Sequence, residues 1–225
     1  MKSTIKKNRL KTITFLFVII LMCLSKSGIA QSPSFDVYIA NEKYISSKVF
    51  QFEIWFKKTG KGKLEIANLQ FAILVDSAFR SGGTITPSFV EGSSMFIGRE
   101  IPTPAQIIYT KNTYKLPDKD MISISGRNNP GCGSGTIISD TGSCASPGTR
   151  FMTIQLTTDL PRWHAGVRPN LDFSTAATSF RTKISYYPQP CPSTGTDATP
   201  QGTFYDYNAV PNVVCPGNPP APARD

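Results

Sequence analysis

The chain has 225 residues and a formal net charge of +9, but six of its 24 Lys and Arg residues and none of its 15 acidic residues precede residue 31. The rest of the chain carries 18 basic against 15 acidic side chains, which gives no support to a nucleic-acid-binding protein. Its low charge and its abundance of Gly and Pro instead favour one exported, all-β domain.

Residues 1–30 have the three parts of a cleavable export signal. An apolar stretch at residues 12–24 precedes Gly28 and Ala30, and it follows five basic side chains: Lys2, Lys6, Lys7, Arg9 and Lys11. As a membrane anchor this stretch would form a helix of about 20 Å, too short for a hydrocarbon core of about 30 Å. A lipoprotein is disfavoured because Met22, which is not a small residue, precedes Cys23. We therefore predict a secreted or cell-surface protein with no membrane span after cleavage.

The next part of the chain alternates apolar and polar side chains, which is the period of a strand with one buried face. The alternation is clearest at residues 50–57 (FQFEIWFK), and it recurs at residues 35–39 and 69–75. The segment 57–63 lies between the alternating stretches at residues 50–57 and 69–75. It contains four lysines and two glycines, which predicts a solvated turn.

Shorter apolar segments follow, separated by turns rich in Gly, Pro and Asn, at residues 107–109, 121–125, 151–157, 171–173 and 180–187. No stretch after the signal keeps a helical apolar period over three turns. We therefore predict seven to ten short strands that form a single antiparallel β-sandwich of immunoglobulin-like kind over residues 33–187.

Residues 188–225 are rich in Pro, Gly, Ser and Thr and are too poor in apolar side chains to form a core. This composition predicts an extended tail or a linker. An aromatic island at residues 204–207 (FYDY) interrupts it. The island either adds a last strand or lies on the surface.

Four cysteines remain after the signal: Cys132, Cys144, Cys191 and Cys215. An even number in an oxidising compartment predicts two disulfides, for which three pairings exist. The sequential pairing, in which each disulfide closes a short loop, is the one we expect, with about 3 kcal/mol of stabilisation for each. A zinc site is disfavoured because no CxxC spacing is present and the one histidine is His164.

With these strands placed, the chain resembles the amino-terminal β-sandwich of secreted, modular surface proteins from Bacteroidetes-type bacteria. The matching motifs are residues 50–55 (FQFEIW), 58–60 (KTG), 66–73 (IANLQFAI), 82–86 (GGTIT) and 148–161 (GTRFMTIQLTTDLP). The resemblance covers about residues 35–187 and implies a cohesin-like or carbohydrate-binding-like sandwich. Such proteins also have a carboxy-terminal domain for type IX export. This chain has a Pro-rich tail in its place, which makes a periplasmic or truncated version the alternative.

The residues that could support catalysis or metal binding are few. A Ser-His-Asp triad would rest entirely on His164, and no GxSxG elbow accompanies it. Asp118 and Asp120 could share a calcium ion, but the rest of a calcium loop is missing and a solvated turn is the better interpretation. We therefore expect neither an enzyme nor a cofactor.

Ligand binding is a better hypothesis because Trp55 lies in the polar register of its strand, where an exposed indole could stack on a sugar or anchor a protein. Tyr38 has the same outward register, and Trp163 lies in a turn. The alternative is that a loop or the tail covers Trp55. The sequence thus predicts a module for adhesion or recognition of a polysaccharide or a surface protein. A structural spacer of a larger secreted protein is the second hypothesis, and an envelope hydrolase is the third.

Overall fold

The computed structural model describes residues 33–98, 100–112, 116–126, 130–139, 148–164, 166–175, 180–188, 190–191 and 195–205. The predicted signal peptide lies outside them. These residues form no α-helix, and none of their helical turns is long and apolar enough to cross a membrane. They form the following strands: β1 (Phe35–Tyr44), β2 (Val49–Lys58), β3 (Ile66–Asp76), β4 (Ile85–Phe89), β5 (Ile107–Thr110), β6 (Lys119–Ser125), β7 (Thr149–Thr158), β8 (Asp172–Phe173), β9 (Lys183–Tyr186), β10 (Thr196–Asp197) and β11 (Gly202–Tyr205).

The strands make two sheets, which confirms the predicted β-sandwich. One sheet has the order β11-β1-β2-β7-β4, and the other has the order β10-β9-β3-β6-β5, with β8 also paired to β3. Every pair is antiparallel except β1 with β11, which is parallel. The described residues therefore contain eleven strands rather than seven to ten. The additional ones are β4, β10 and β11, which lie outside the segments with a clear alternation.

The interior consists of alternate side chains from the long strands, as the period of two predicts. Phe71 of β3 is at its centre, with its ring centroid 5.2 to 5.8 Å from those of Phe56, Phe151 and Phe173. Burial of each such side chain contributes about 1.5–3 kcal/mol to folding. The other fully buried alternate residues on β1, β2 and β3 are Phe35, Val37, Ile39, Phe52, Ile54, Leu69, Ile73 and Val75.

A β-bulge in β1 changes which side chains face the core near the end of that strand. The register with β2 shifts between Ala40 and Lys43, and Asn41 in the bulge has a φ of 55°. The extra residue reverses the alternation beyond it, because each strand residue faces the side opposite to its neighbour. Tyr44 consequently lies opposite the core residue Phe50 and on the same side of the sheet.

A second bulge, in β7, affects the outer face of the same sheet. Ile54 pairs with Met152 while Trp55 pairs with Arg150, so Phe151 is the extra residue. Phe151 and Met152 are both fully buried although they are consecutive. The bulge also places Arg150 directly opposite Trp55, one of the residues predicted to bind a ligand.

The sandwich continues beyond residue 187, which corrects the predicted boundary between domain and tail. β10 extends one sheet and β11 extends the other, so the aromatic island does add a strand. Phe204 packs edge-to-face against Phe35 and Phe173, with centroids 6.5 and 5.6 Å apart. Ala198, between the two strands, is fully buried. The segment that contains β10 and β11 therefore packs against the core despite its polar composition.

The disulfide joins Cys132 to Cys191, with 5.8 Å between their Cα atoms, so the sequential pairing was wrong for these two cysteines. The segment before β3 brings them together. Glu65 pairs with Ile137 on one side, and its carbonyl oxygen accepts a hydrogen bond from the Tyr187 amide on the other. The loop after β6 and the end of β9 thus become neighbours in space. Cys144 and Cys215 lie outside the described residues.

Two buried carboxylates hold the loop that contains Cys132. Glu65 accepts hydrogen bonds from the backbone amides of Gly133 (2.5 Å) and Gly135 (3.0 Å), and Glu100 accepts one from the amide of Thr136 (2.9 Å). Burial raises the pKa of the Glu100 carboxyl above its ordinary value of 4.5, and the Glu65 charge acts in the same direction. The hydrogen bonds from Thr136 act against this rise. Ionised Glu100 is therefore costly in the folded protein.

We expect the Glu100→Gln variant to lose less stability than the wild type as the pH rises from about 4 to about 7. A carboxyl whose pKa is raised by folding contributes stability that is full below its unfolded pKa and is lost as the pH passes its folded pKa. Glutamine does not titrate, so this loss disappears. Urea midpoints at a series of pH values measure the difference, and parallel pH profiles for the two proteins would contradict the prediction.

Candidate recognition cleft

The two strand aromatics predicted to bind a ligand are buried. Trp55 is 5 % exposed and Tyr38 is 6 % exposed, and they are cross-strand partners on the outer face of the β1–β2 sheet. The indole Nε1 donates to Glu53 (2.8 Å), and the Arg150 guanidinium lies 5.4 Å from the ring centroid. Neither ring is exposed enough to stack on a sugar.

The loop after β4 holds Arg150 in this position. The guanidinium Nε donates to the carbonyl oxygen of Ser93 (2.6 Å), and the Met95 amide donates to the carbonyl oxygen of Arg150 (3.0 Å). Another guanidinium nitrogen of Arg150 donates to Glu53 (3.2 Å). A covered Trp55 was the alternative interpretation of the sequence, and it is the correct one.

Trp163, the third predicted aromatic, is also buried, with 6 % of its surface exposed. Its ring stacks on Phe79, with centroids 4.3 Å apart and planes 16° from parallel. Phe79 in turn packs edge-to-face on the core residue Phe50 at 5.5 Å. The indole Nε1 is buried, and no residue that the structure describes accepts a hydrogen bond from it.

Trp163 nevertheless forms part of a cleft at one end of the sandwich, where the β1–β2 hairpin meets the segment after β7. This hairpin cleft has a volume of about 370 Å³ and is lined by Tyr44, Ser46, Ser47, Arg162, Trp163, His164 and Gly166. Two backbone hydrogen bonds join its walls, from the Trp163 amide to the Ser47 carbonyl oxygen (2.8 Å) and from the Thr158 amide to the Lys48 carbonyl oxygen (3.0 Å). The cleft is therefore formed by parts of the chain that are fixed to each other.

Tyr44 is far more exposed than Trp163 in the hairpin cleft, at 49 % against 6 %. Its ring packs edge-to-face on Phe50 with centroids 5.2 Å apart, and its hydroxyl donates to the carbonyl oxygen of Val167 (3.0 Å). Burial raises the pKa of this hydroxyl, and Glu42 raises it further, whereas the Arg168 charge lowers it. The ring is thus an exposed apolar surface that two contacts hold in one orientation.

Tyr44 is not evident as a site residue from the sequence, because the bulge at Asn41 reverses the alternation after it. Extending the pattern of residues 35–39 without the bulge assigns Tyr44 to the outer face of the sheet. The sequence offered one local signal for it, because Tyr44 is an aromatic residue two positions before the polar turn Ser46-Ser47.

Several polar side chains of the hairpin cleft are available to a ligand. Within the described chain, no hydrogen bond or ion pair engages the Ser47 hydroxyl, the Arg162 guanidinium or the His164 imidazole. The Ser46 hydroxyl accepts only a weak local bond from the Lys48 amide (3.2 Å). An exposed ring beside unpaired hydrogen-bonding groups is the arrangement that binds amphipathic molecules such as sugars.

The two aspartates considered as calcium ligands differ in burial. Asp118 is exposed in a turn, whereas Asp120 is fully buried in β6. Asp120 accepts hydrogen bonds from the Tyr109 hydroxyl (2.7 Å), Arg80 Nε (3.1 Å) and the Asn112 amide (2.9 Å). The solvated-turn interpretation holds for Asp118 alone, and Asp120 serves to join β6, β5 and the turn after β3. The described residues contain no group of three or more metal-ligating side chains.

Comparison with solved structures returns chains of low sequence identity to this one. One is endoglucanase CelQ from Clostridium thermocellum complexed with cellotriose, at 13 % identity over 76 % of this chain and 26 % of that chain, with a TM-score of 0.38. Another is the seventh ScaB type I cohesin from Pseudobacteroides cellulosolvens, at 13 % identity over 80 % of this chain and 96 % of that chain, with a TM-score of 0.36. The chain thus spans about a quarter of the length of the endoglucanase chain. No protein-family model and no curated protein matches the sequence.

Proposed function

We propose that this chain is an exported, non-catalytic β-sandwich module that recognises a polysaccharide at the cell envelope through the hairpin cleft. The observation that carries the proposal is Tyr44, a half-exposed ring held by Phe50 and Val167 beside polar side chains that have no partner among the described residues. Sugars have apolar ring faces and hydroxyl edges, so a ring flanked by donors and acceptors complements both.

Export is supported by the disulfide as well as by the predicted signal. Cys132 and Cys191 are paired, and disulfides persist in oxidising compartments outside the cytoplasm. The Cys191 residue is exposed, so burial does not protect the bond from a cytoplasmic reductant. A protein that relies on this bond is therefore suited to the periplasm, the cell surface or the medium.

A binding role is favoured over catalysis by the chemistry of the cleft lining. His164 and two serines line it, but no described hydrogen bond joins a serine hydroxyl to the imidazole. Among the described lining residues there is also no carboxylate to orient the imidazole or to act with a second acid. The lining offers stacking, hydrogen bonding and positive charge.

We expect the exported protein to be retarded in affinity gels that contain its polysaccharide, and we expect Tyr44→Ala to weaken the apparent affinity about tenfold. Tyr44→Phe keeps the ring and should stay close to the wild type. The matched control is Ile108→Ala, which truncates another exposed apolar residue (54 % exposed), on β5. A panel of neutral and acidic plant and bacterial polysaccharides provides the gels.

The outcomes separate this proposal from the structural-spacer hypothesis. Retardation that Tyr44→Ala weakens and Ile108→Ala does not would support recognition through the hairpin cleft. An absence of retardation with every polysaccharide would favour the spacer and overturn the proposal. Equal retardation of all variants would place the binding surface elsewhere.

A further inference from the structure

The charged side chain in the described lining of the hairpin cleft is positive. Arg162 lines it and is exposed, and its guanidinium has no partner among the residues that the structure describes. Arg168 is also exposed, and its charge acts on the Tyr44 hydroxyl. Lys48 follows the lining residue Ser47 and is exposed in the hairpin turn. One exposed cation therefore lines the cleft, a second acts on its Tyr44, and a third follows its Ser47 in the chain.

One acidic side chain opposes these cations. Glu42 acts on the same Tyr44 hydroxyl, and more strongly than Arg168 does, but it is only partly exposed and one of its carboxylate oxygens is buried. The described lining of the cleft itself contains no acidic side chain. The Arg162 guanidinium, which no described residue pairs with, attracts anions and contributes little to the binding of a neutral ligand.

We infer that the hairpin cleft takes an acidic polysaccharide, one whose sugar rings carry carboxylates, and this inference rests on the proposed function. A guanidinium binds a carboxylate through two parallel N–H···O hydrogen bonds, which a neutral sugar does not offer. In a hexuronic acid the carboxylate is attached to the ring itself. A ring stacked on Tyr44 therefore carries its charge into the same cleft that Arg162 lines.

This combination separates an acidic glycan from a simple polyanion. Exposed ion pairs are individually weak and are screened by salt, so Arg162 and Arg168 alone would give weak binding. Stacking on Tyr44 adds a contribution that salt does not screen. Binding of an acidic polysaccharide should consequently weaken with salt and still depend on the Tyr44 ring.

The test measures retardation of the exported protein in gels that contain polygalacturonate, alginate, a neutral xyloglucan or poly(acrylate). We expect retardation by an acidic polysaccharide, a threefold or greater loss of affinity in Arg162→Gln and in Arg168→Gln, and a loss in Tyr44→Ala. The control is Lys61→Gln, which removes the same charge from the exposed turn between β2 and β3. Each substituted cation is exposed, and circular dichroism verifies that the variants remain folded.

The outcomes for the inference and for the proposed function differ. Retardation by xyloglucan alone would overturn the inference and leave the proposed function in place. Retardation by none of the polysaccharides would overturn both. Equal losses in Lys61→Gln and Arg162→Gln, or poly(acrylate) binding that matches the polysaccharides, would also overturn the inference, because net charge would then explain the attraction.

Discussion

Removal of the Cys132–Cys191 disulfide is expected to lower the free energy of unfolding by about 4 kcal/mol. The bond joins residues 59 positions apart, and the entropy that a cross-link removes from the unfolded chain grows with the length of the closed loop. The short loops of the sequential pairing would have given about 3 kcal/mol. Urea unfolding of the Cys132→Ala/Cys191→Ala double variant, compared with the oxidised wild type, measures this loss.

Peptide mapping of the unreduced protein provides the control on the pairing itself. A linked pair of peptides that contain Cys132 and Cys191 is expected. Substitution of Cys144 by Ala should leave that linked pair unchanged. A peptide that joins Cys132 to Cys144, or a double variant as stable as the wild type, would contradict the pairing or its energetic importance.

The Asp120→Ala variant is expected to lose about 3 kcal/mol of stability. Asp120 is fully buried and accepts hydrogen bonds from Tyr109, Arg80 and the amide of Asn112, so its removal leaves three donors without an acceptor. Breaking a buried ion pair from one side is costly because the remaining charge stays desolvated. Arg80 is partly exposed, which places the expected loss at the lower end of the usual range. The urea midpoint should fall while the slope of the transition stays constant.

Asp118→Ala is the matched control, because Asp118 carries the same side chain two residues away and is exposed. It should change the stability by less than about 0.5 kcal/mol. Similar losses in the two variants would show that the buried network does not stabilise the fold as we describe. A rise in the midpoint of either protein on adding calcium would revive the calcium hypothesis.

The strand pattern of this fold could be predicted because it depends on neighbouring residues. The alternation at residues 50–57 requires only that one face of a strand be apolar, and Phe50, Phe52, Ile54 and Phe56 do face the core. The same reasoning assigned Trp55 to the outer face correctly and left open whether a loop or the tail covers it. Its burial depends on Arg150, which is 95 positions away in the chain and becomes its neighbour through the β7 bulge.

The candidate site was harder to predict for the same reason. Trp163 was selected for its residue type, and it does line the hairpin cleft, although with a buried ring. Tyr44 was not selected, because a single inserted residue near Asn41 reverses the direction of its side chain. A bulge has no reliable signature in one sequence, since it results from the pairing of two strands.

The order of side chains along each strand thus determined the all-β class and the identity of most core residues. The reason is that alternation within a single strand already decides which of its side chains can be buried together on one face. Tertiary structure alone decided the pairing of Cys132 with Cys191, the addition of β10 and β11, and the position of Tyr44 in a cleft with Arg162. These features depend on contacts between distant segments. Such contacts form only when the two sheets pack together and bring those segments within a few ångströms of each other.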